Sequence, residues 1–293
     1  MLYDTPTPEL QTLTPGQHDV VVFAVLAAAF ALLAHTLHSW RSASEVGVRY
    51  RPAVVAALCI GAVATVSYAL VHHAVDTGFT LVDGVYEPGE PARSSLFTRY
   101  VDWSVTVPLL TVELLAVCAL AGARARRVRA STMAAAFLMV VTGFVGSQVV
   151  AEGRSTGALV GWGLVSTAFF GYLYVALVGA VRGSRGSMSA ESFASLRNAA
   201  VVLLSTFGVY PLVYAVPVFV DVTPSWFVGM QVAYSAADVV AKVGFGVLVF
   251  KVAKLRTAED LAAGAETHPE PVWVSSVHEA DAVAPHEPEP RQH

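Results

Sequence analysis

Charge is what this chain lacks. Only 14% of its 293 residues are Asp, Glu, Lys or Arg, where a soluble globular domain carries about 25%. Cysteine is nearly absent too. Cys59 and Cys118 both fall in apolar runs, which argues against a disulfide framework or a cysteine metal site and predicts small buried packing residues. The histidines of the last segment (His268, His278, His286 and His293) lack metal-ligand spacing, so no metal is expected. No repeat of solenoid type is visible. Met1 to Gln17 has no basic run of the kind that opens a secretory signal, and it carries Asp4 and Glu9. What remains is 55% hydrophobic with a mean hydropathy of +0.58, the composition of a polytopic membrane protein. The net charge of -4 reflects acids gathered in loops and tail, and no nucleic-acid partner is expected.

Seven apolar runs are long enough to span a bilayer at about 20 residues each. They cover roughly 18–40, 52–76, 95–120, 130–151, 155–182, 191–220 and 225–254. The loops on one side carry Arg41, Arg49 and Arg51, then Arg124, Arg126, Arg127 and Arg129, then Arg182 and Arg185, then Lys251, Lys254 and Arg256. The other side is acidic, with Arg93 and Arg154 as minority cations. The positive-inside rule therefore predicts an N-terminus outside and a C-terminus in the cytoplasm. The expected fold is an all-α seven-transmembrane bundle in the cell membrane, in contact with lipid. It divides into an extracellular N-terminal segment 1–17, a seven-helix domain 18–256 and a cytoplasmic tail 257–293. The tail, rich in Ala, Pro, Glu and His, is predicted to be disordered. Between the second and third spans, Thr80-Leu-Val-Asp-Gly-Val-Tyr86 predicts a short β-hairpin centred on Asp83-Gly84.

Against this scarcity of charge, the third span carries Arg99, Asp102 and Glu113. Ionisable groups inside a membrane are costly and mark function by default. Asp102, Thr106 and Glu113 share one helix face, and the two carboxyls lie roughly 16 Å apart along the axis. They could be two stations of a proton path. The plainer alternative, a helix end with snorkelling charges, suits Arg99 but not the two acids. The seventh span holds Asp238-Val-Val-Ala-Lys242. A desolvated lysine is a competent amine nucleophile toward an aldehyde, and Asp238, one turn earlier, can be its counterion. A purely structural Asp–Lys pair is the alternative.

Four motifs together resemble the microbial (type 1) rhodopsins: Arg99-Tyr-Val-Asp-Trp103, Thr106-Val-Pro108-Leu-Leu, Tyr210-Pro211 and Asp238-Val-Val-Ala-Lys242-Val-Gly-Phe-Gly. The resemblance spans residues 18–254 or so. It implies all-trans retinal held as a Schiff base on Lys242. It implies that Asp102 is primary counterion and proton acceptor, Thr106 its hydrogen-bond partner, Glu113 the cytoplasmic proton donor, Asp238 a second counterion, and Arg99 a cation coupled to both aspartates. The Asp-Thr-Glu set is similar to that of proteorhodopsin- and xanthorhodopsin-like outward proton pumps, so the chain is expected to be a transporter of protons rather than an enzyme. By position along those motifs the retinal pocket takes in Trp103, Leu110, Met139, Gly143, Ser166, Thr167, Phe207, Tyr210, Pro211 and Tyr214. An apolar Leu110 implies green absorption. Assembly into trimers or pentamers is a family habit.

Three departures from the pattern stand out. Phe207 replaces the usual Trp. Ser67 stands where the xanthorhodopsin branch has a histidine in the second helix, which leaves the counterion without that partner. Met230, beside Gln231, stands where a glutamate for early proton release would be. Gly163, in Trp162-Gly-Leu-Val-Ser-Thr167, would leave a lateral opening that in xanthorhodopsin-like members admits the ring of a hydroxylated or keto carotenoid antenna. Close helix packing is its other use. The competing function is a sensory rhodopsin that signals through a membrane partner, against which Glu113 argues.

Overall fold

The computed structural model describes residues 11–265, together with the backbone of two short strands, Val272–Trp273 and Glu279–Ala280, which pair antiparallel. Seven helical rods dominate. They are α1 (Pro15–Arg41), α2 (Arg51–Gly78), α3 (Ser94–Ala116), α4 (Gly122–Phe144), α5 (Thr156–Gly183), α6 with α7 (Ala190–Phe207 and Val209–Phe219), and α8 with α9 (Pro224–Val239 and Phe245–Ala262). Each rod packs on its neighbours in sequence, and α8 closes the ring against α1.

The helix starts follow local chemistry. Thr14 caps α1 in a reciprocal box with Gln17, with Pro15 just inside the helix. Ser155, Ser189 and Thr223 cap α5, α6 and α8 through their hydroxyls. Two interruptions fall in the rods that carry the motifs. Gly208 separates α6 from α7, three residues before Pro211, whose missing N–H leaves the Phe207 carbonyl without its helical donor. A π-helical turn, Val240–Gly244, separates α8 from α9 and carries Lys242. Such turns commonly sit at functional positions because they redirect one side chain without ending the helix.

The distribution of polarity is inverted relative to a soluble protein. Phe23, Phe30, Trp40, Leu212 and Phe219 face outward, while Arg99, Asp102, Glu113, Gln231, Asp238 and Lys242 are buried. Outward apolar rings need lipid. Five rods are long and apolar enough to cross a membrane by composition alone. The two that are not, α3 and α8–α9, are those that carry the buried charges.

At one end, β1 (Phe79–Val82) and β2 (Val85–Pro88) form an antiparallel hairpin. Asp83 (φ 47°) and Gly84 (φ 83°) both have positive φ, which is the type I′ turn that an Asp-Gly pair favours. Leu13 and Tyr86 exchange backbone hydrogen bonds of 2.9 and 2.8 Å, and His18 stacks on the Tyr86 ring with centroids 3.9 Å apart. The segment before α1 is thereby tied to the hairpin.

At the opposite end the last helix runs further than expected. The boundary placed at 257 lies inside α9, which continues to Ala262. Thr257 Oγ1 accepts from Gly47 N at 2.9 Å, and Tyr50 OH donates to Asp260 Oδ2 at 2.7 Å. These contacts hold the extra turn against the loop between α1 and α2, which composition did not reveal. The expected disorder of the tail falls, apart from that turn and the two short strands, outside the described residues. Cys118 is buried, but Cys59 is exposed on the outer face of the bundle, contrary to the packing role expected of it.

Candidate functional site

Four charges meet in the middle of the ring: Arg99 and Asp102 from α3, Asp238 from α8, and Lys242 from the π turn. Each is at most 2% exposed. Two cations balance two anions. Desolvating such groups costs several kcal/mol per ion unless partners and hydrogen bonds compensate.

The two carboxylates are compensated very differently. Asp238 is saturated. Its Oδ1 accepts from Tyr210 OH at 2.7 Å and Trp103 Nε1 at 3.1 Å, and its Oδ2 accepts from Tyr68 OH at 2.8 Å. Lys242 Nζ lies 3.3 Å away and Arg99 Nη1 3.7 Å away. Asp102 has far less. Its Oδ2 accepts a hydrogen bond from Lys242 Nζ, and its buried Oδ1 has no hydrogen-bond partner among the described residues.

Arg99 makes its direct contacts on the Asp238 side and couples to Asp102 only through space. It pairs with Asp238, donates to Tyr68 OH at 2.8 Å, and holds Gln231 Oε1 at 2.9 Å and Ser235 Oγ at 3.3 Å. No hydrogen bond or ion pair joins it to Asp102. Thr106 is also placed differently. Its Oγ1 donates to the Asp102 backbone carbonyl at 3.0 Å, not to the carboxylate, the back-bonding that Thr in a helix commonly adopts. Ser67, at the position of the absent histidine, donates weakly to Thr98 O at 3.5 Å. Its neighbour Tyr68 takes part in the charge cluster instead.

An apolar cavity of about 300 Å³ adjoins the charge cluster through Trp103 and Tyr210, which line it and donate to Asp238, while Lys242 itself is not on its lining. Trp103, Met139, Gly143, Gly163, Ser166, Thr167, Phe207, Tyr210, Pro211 and Tyr214 all line it. Leu110 does not. It is buried at 1% exposure, away from that lining. Gly163 stands close to Tyr214, since a Cβ there would lie 2.9 Å from Tyr214 Cε1. Thr167 is exposed and donates to Gly163 O at 2.8 Å.

Glu113 sits well apart from the cluster. It is 1% exposed, and neither carboxyl oxygen has a hydrogen-bond partner among the described residues. Sequence reasoning missed Tyr68, Ser235 and the part played by Gln231. Tyr68 stands on the buried face of α2 with Ala64, Val71 and Val75, and a hydroxyl at such a position was the available signal.

A buried lysine ion-paired with two carboxylates, separated from an apolar cavity by the Trp103 and Tyr210 side chains inside a seven-helix membrane bundle, defines a retinylidene-type membrane protein. The lining of the cavity suits an apolar group, and the cavity meets the charge cluster at Trp103 and Tyr210. The chain belongs to the bacteriorhodopsin-like protein family, whose model matches residues 19–255. It is a microbial type 1 rhodopsin, a multi-pass protein of the cell membrane. It is 30% identical to cruxrhodopsin-3 of Haloarcula vallismortis over 81% of this chain and 91% of that one. It is 29% identical to sensory rhodopsin-2 of Natronomonas pharaonis over 82% and 92%. Its fold is similar to the crystal structure of xanthorhodopsin, described as a light-driven ion pump with dual chromophore, with a TM-score of 0.77, 31% identity, and coverage of 86% and 98%.

Proposed function

We propose that this protein is a light-driven outward proton pump, oriented with its N-terminus outside and its C-terminus in the cytoplasm. The loop charges support the orientation. The observation that carries the direction of transfer is the inequality of the two carboxylates. Asp238 is held as an anion by three side-chain donors and Arg99. Asp102 touches the lysine and keeps one oxygen unfilled. A proton leaving Lys242 Nζ therefore goes to Asp102, because protonating Asp238 would abolish several charge-assisted hydrogen bonds at about 1.5–3 kcal/mol each.

When bound to Lys242, retinal supplies light absorption and a change of geometry at that nitrogen. Trp103, Phe207, Tyr210, Pro211 and Tyr214 shape the cavity around it. Glu113, roughly 16 Å from Asp102 along the helix, holds the proton that returns to Nζ from the other side. Arg99, with Gln231, Ser235 and Ser95 beyond it, lines the exit.

Illuminated cells in unbuffered medium with added all-trans retinal should acidify that medium, and a protonophore should abolish the signal. Asp102→Asn should eliminate the acidification, and Lys242→Ala should remove the visible band. Acidification that persists in Asp102→Asn overturns the assignment of the acceptor.

Gly163 supports a second chromophore. The cavity reaches the outer face at Leu164 (67% exposed) and Val160 (42%), where a hydroxylated or keto carotenoid would meet it from the lipid. Such a carotenoid should acquire induced circular dichroism and transfer energy in the native protein and lose both in Gly163→Trp. Equal signals in the variant refute the antenna. Assembly into trimers or pentamers belongs to the same proposal and is read by cross-linking in native membranes. The sensory relative favours one alternative, signalling through a membrane partner. A fast photocycle supports the pump, and one lasting seconds supports the sensor.

A further inference from the structure

His35 is a buried histidine that takes no part in the charge cluster. It lies on α1 at 5% exposure, and neither ring nitrogen has a hydrogen-bond partner among the described residues. A histidine kept for packing normally has one nitrogen satisfied, since an unmet buried polar group is costly. Glu113, equally unpartnered, faces the same space. That space exists because residue 246 is glycine. At the point where a Cβ of Gly246 would stand, His35 Nε2 is 2.8 Å away and Glu113 Oε1 3.5 Å away. The two groups line one cavity of about 10 Å³, near the ~10–15 Å³ that a single water requires. His38, exposed, and Ser39 line it from α1 toward the helix end. The contributions of α2 and α9 are alanine, valine, glycine and phenylalanine. The titratable groups on this lining are therefore His35, His38 and Glu113.

We infer that His35 is the relay that returns a proton to Glu113 from the cytoplasm. The inference rests on Glu113 being the proton donor. In the step, the N–H bond at Nε2 of protonated His35 breaks and an O–H bond forms on the Glu113 carboxylate through one bridging water. The imidazole is left neutral and takes its next proton from the aqueous side past His38. Imidazole suits this task because one ring nitrogen can take up a proton while the other gives one up.

Flash photolysis of the retinal-loaded protein separates the two readings. The visible band follows return of the proton from Glu113 to Lys242 Nζ, and a pH-indicator dye follows proton uptake from the medium. His35→Gln should slow uptake by at least ~10-fold, leave the return to Nζ at its native rate, and recover with imidazole in the buffer. Gly246→Ala, which fills the gap, should slow uptake without imidazole rescue. Uptake at the native rate in His35→Gln overturns the inference, and so does slowing that imidazole fails to relieve. Should His35→Gln form no visible band, His35→Asn and His35→Ala carry the same measurement. A separate readout uses retinal-free protein in the dark. The ¹⁵N signal of His35 should titrate at a pH that moves in Glu113→Gln, and an unmoved titration counts against the contact. If Glu113→Gln itself leaves the return to Nζ unslowed, the donor assignment fails, and it fails independently of His35.

Discussion

Tyr68→Phe isolates a single oxygen at the centre of the charge cluster. The hydroxyl accepts from Arg99 Nη1 and donates to Asp238 Oδ2, both at 2.8 Å. The substitution removes both bonds and keeps the ring, over which the Arg99 guanidinium stands at 4.9 Å. Two scales predict different losses. Hydrogen bonds to charged groups contribute about 1.5–3 kcal/mol each. Side-chain hydrogen bonds between membrane helices have averaged about 0.6 kcal/mol, because the unfolded chain in the membrane finds other partners. The ionic scale should win here, since Arg99 and Asp238 are both buried and would each be left short of a partner. After allowance for relaxation of Arg99 toward Gln231, the expected loss is about 2–4 kcal/mol, against about 1 kcal/mol on the neutral scale.

Thermal loss of the visible band in lipid reads this difference. At about 2–4 °C per kcal/mol for a domain of this size, Tyr68→Phe should lower the midpoint by roughly 4–16 °C. Tyr172→Phe is the control. Its hydroxyl binds Ser131 Oγ at 2.7 Å on the exposed face, so its loss should stay within about 0.5 kcal/mol. Scan rate must be matched, because unfolding of such proteins is commonly irreversible. A drop in Tyr68→Phe no larger than in Tyr172→Phe would refute the view that Asp238 depends on its hydrogen bonds.

Gly78→Ala should destabilise by about 1–3 kcal/mol, because its Cβ would meet Ala92 N at 2.6 Å and that backbone cannot swing aside; Gly171→Ala, with nothing within 4 Å, should be neutral or stabilising in the same melting assay. Base should loosen the end of the bundle where α9 meets the first loop. The Tyr50 phenol is pushed up to about 12 by burial first and by its hydrogen bond to Asp260 second, against the opposing pull of Arg256. A folded-state value above the unfolded value of about 10 means that this contribution is fully present below pH 10 and is lost as pH rises toward about 12. Melting followed across that window should fall less steeply in Tyr50→Phe than in the native protein, and parallel curves would count against the assignment.

Much of this architecture is legible in the sequence. Charges are so scarce that Asp102, Glu113, Asp238 and Lys242 announced themselves, and apolar run length placed all seven rods. Asp83-Gly84 announced the hairpin because few residue pairs accept two positive φ values in succession. What the chain did not disclose depends on convergence between rods. Trp103, Tyr68 and Tyr210 come from three different rods and meet on one carboxylate of a fourth, which no spacing within a single segment encodes. Thr106 lies on the expected face, yet its hydroxyl has a nearer acceptor in its own helix, and a face does not choose between the two. His35 sits in an apolar run with no charge beside it in sequence. Only Gly246, more than two hundred residues later, gives it a neighbour.

In the proposed pump, the inequality between Asp102 and Asp238 links the fold to the choice of proton acceptor. Two aspartates held alike beside a buried amine would share its proton without preference. Here the bundle spends its polar side chains on Asp238 alone. Tyr68, Trp103, Tyr210 and Arg99 are all directed at it, and the helical neighbour of Asp102 that could have joined it, Thr106, turns to the backbone. Under the proposed function the free oxygen of Asp102 has a use, because an acceptor must have an unused lone pair and little to lose by becoming neutral. Glu113 answers to the same rule from the other side. Among the described residues no side chain donates a hydrogen bond to it. The preference is thus set by where hydrogen bonds are withheld as much as by where they are supplied.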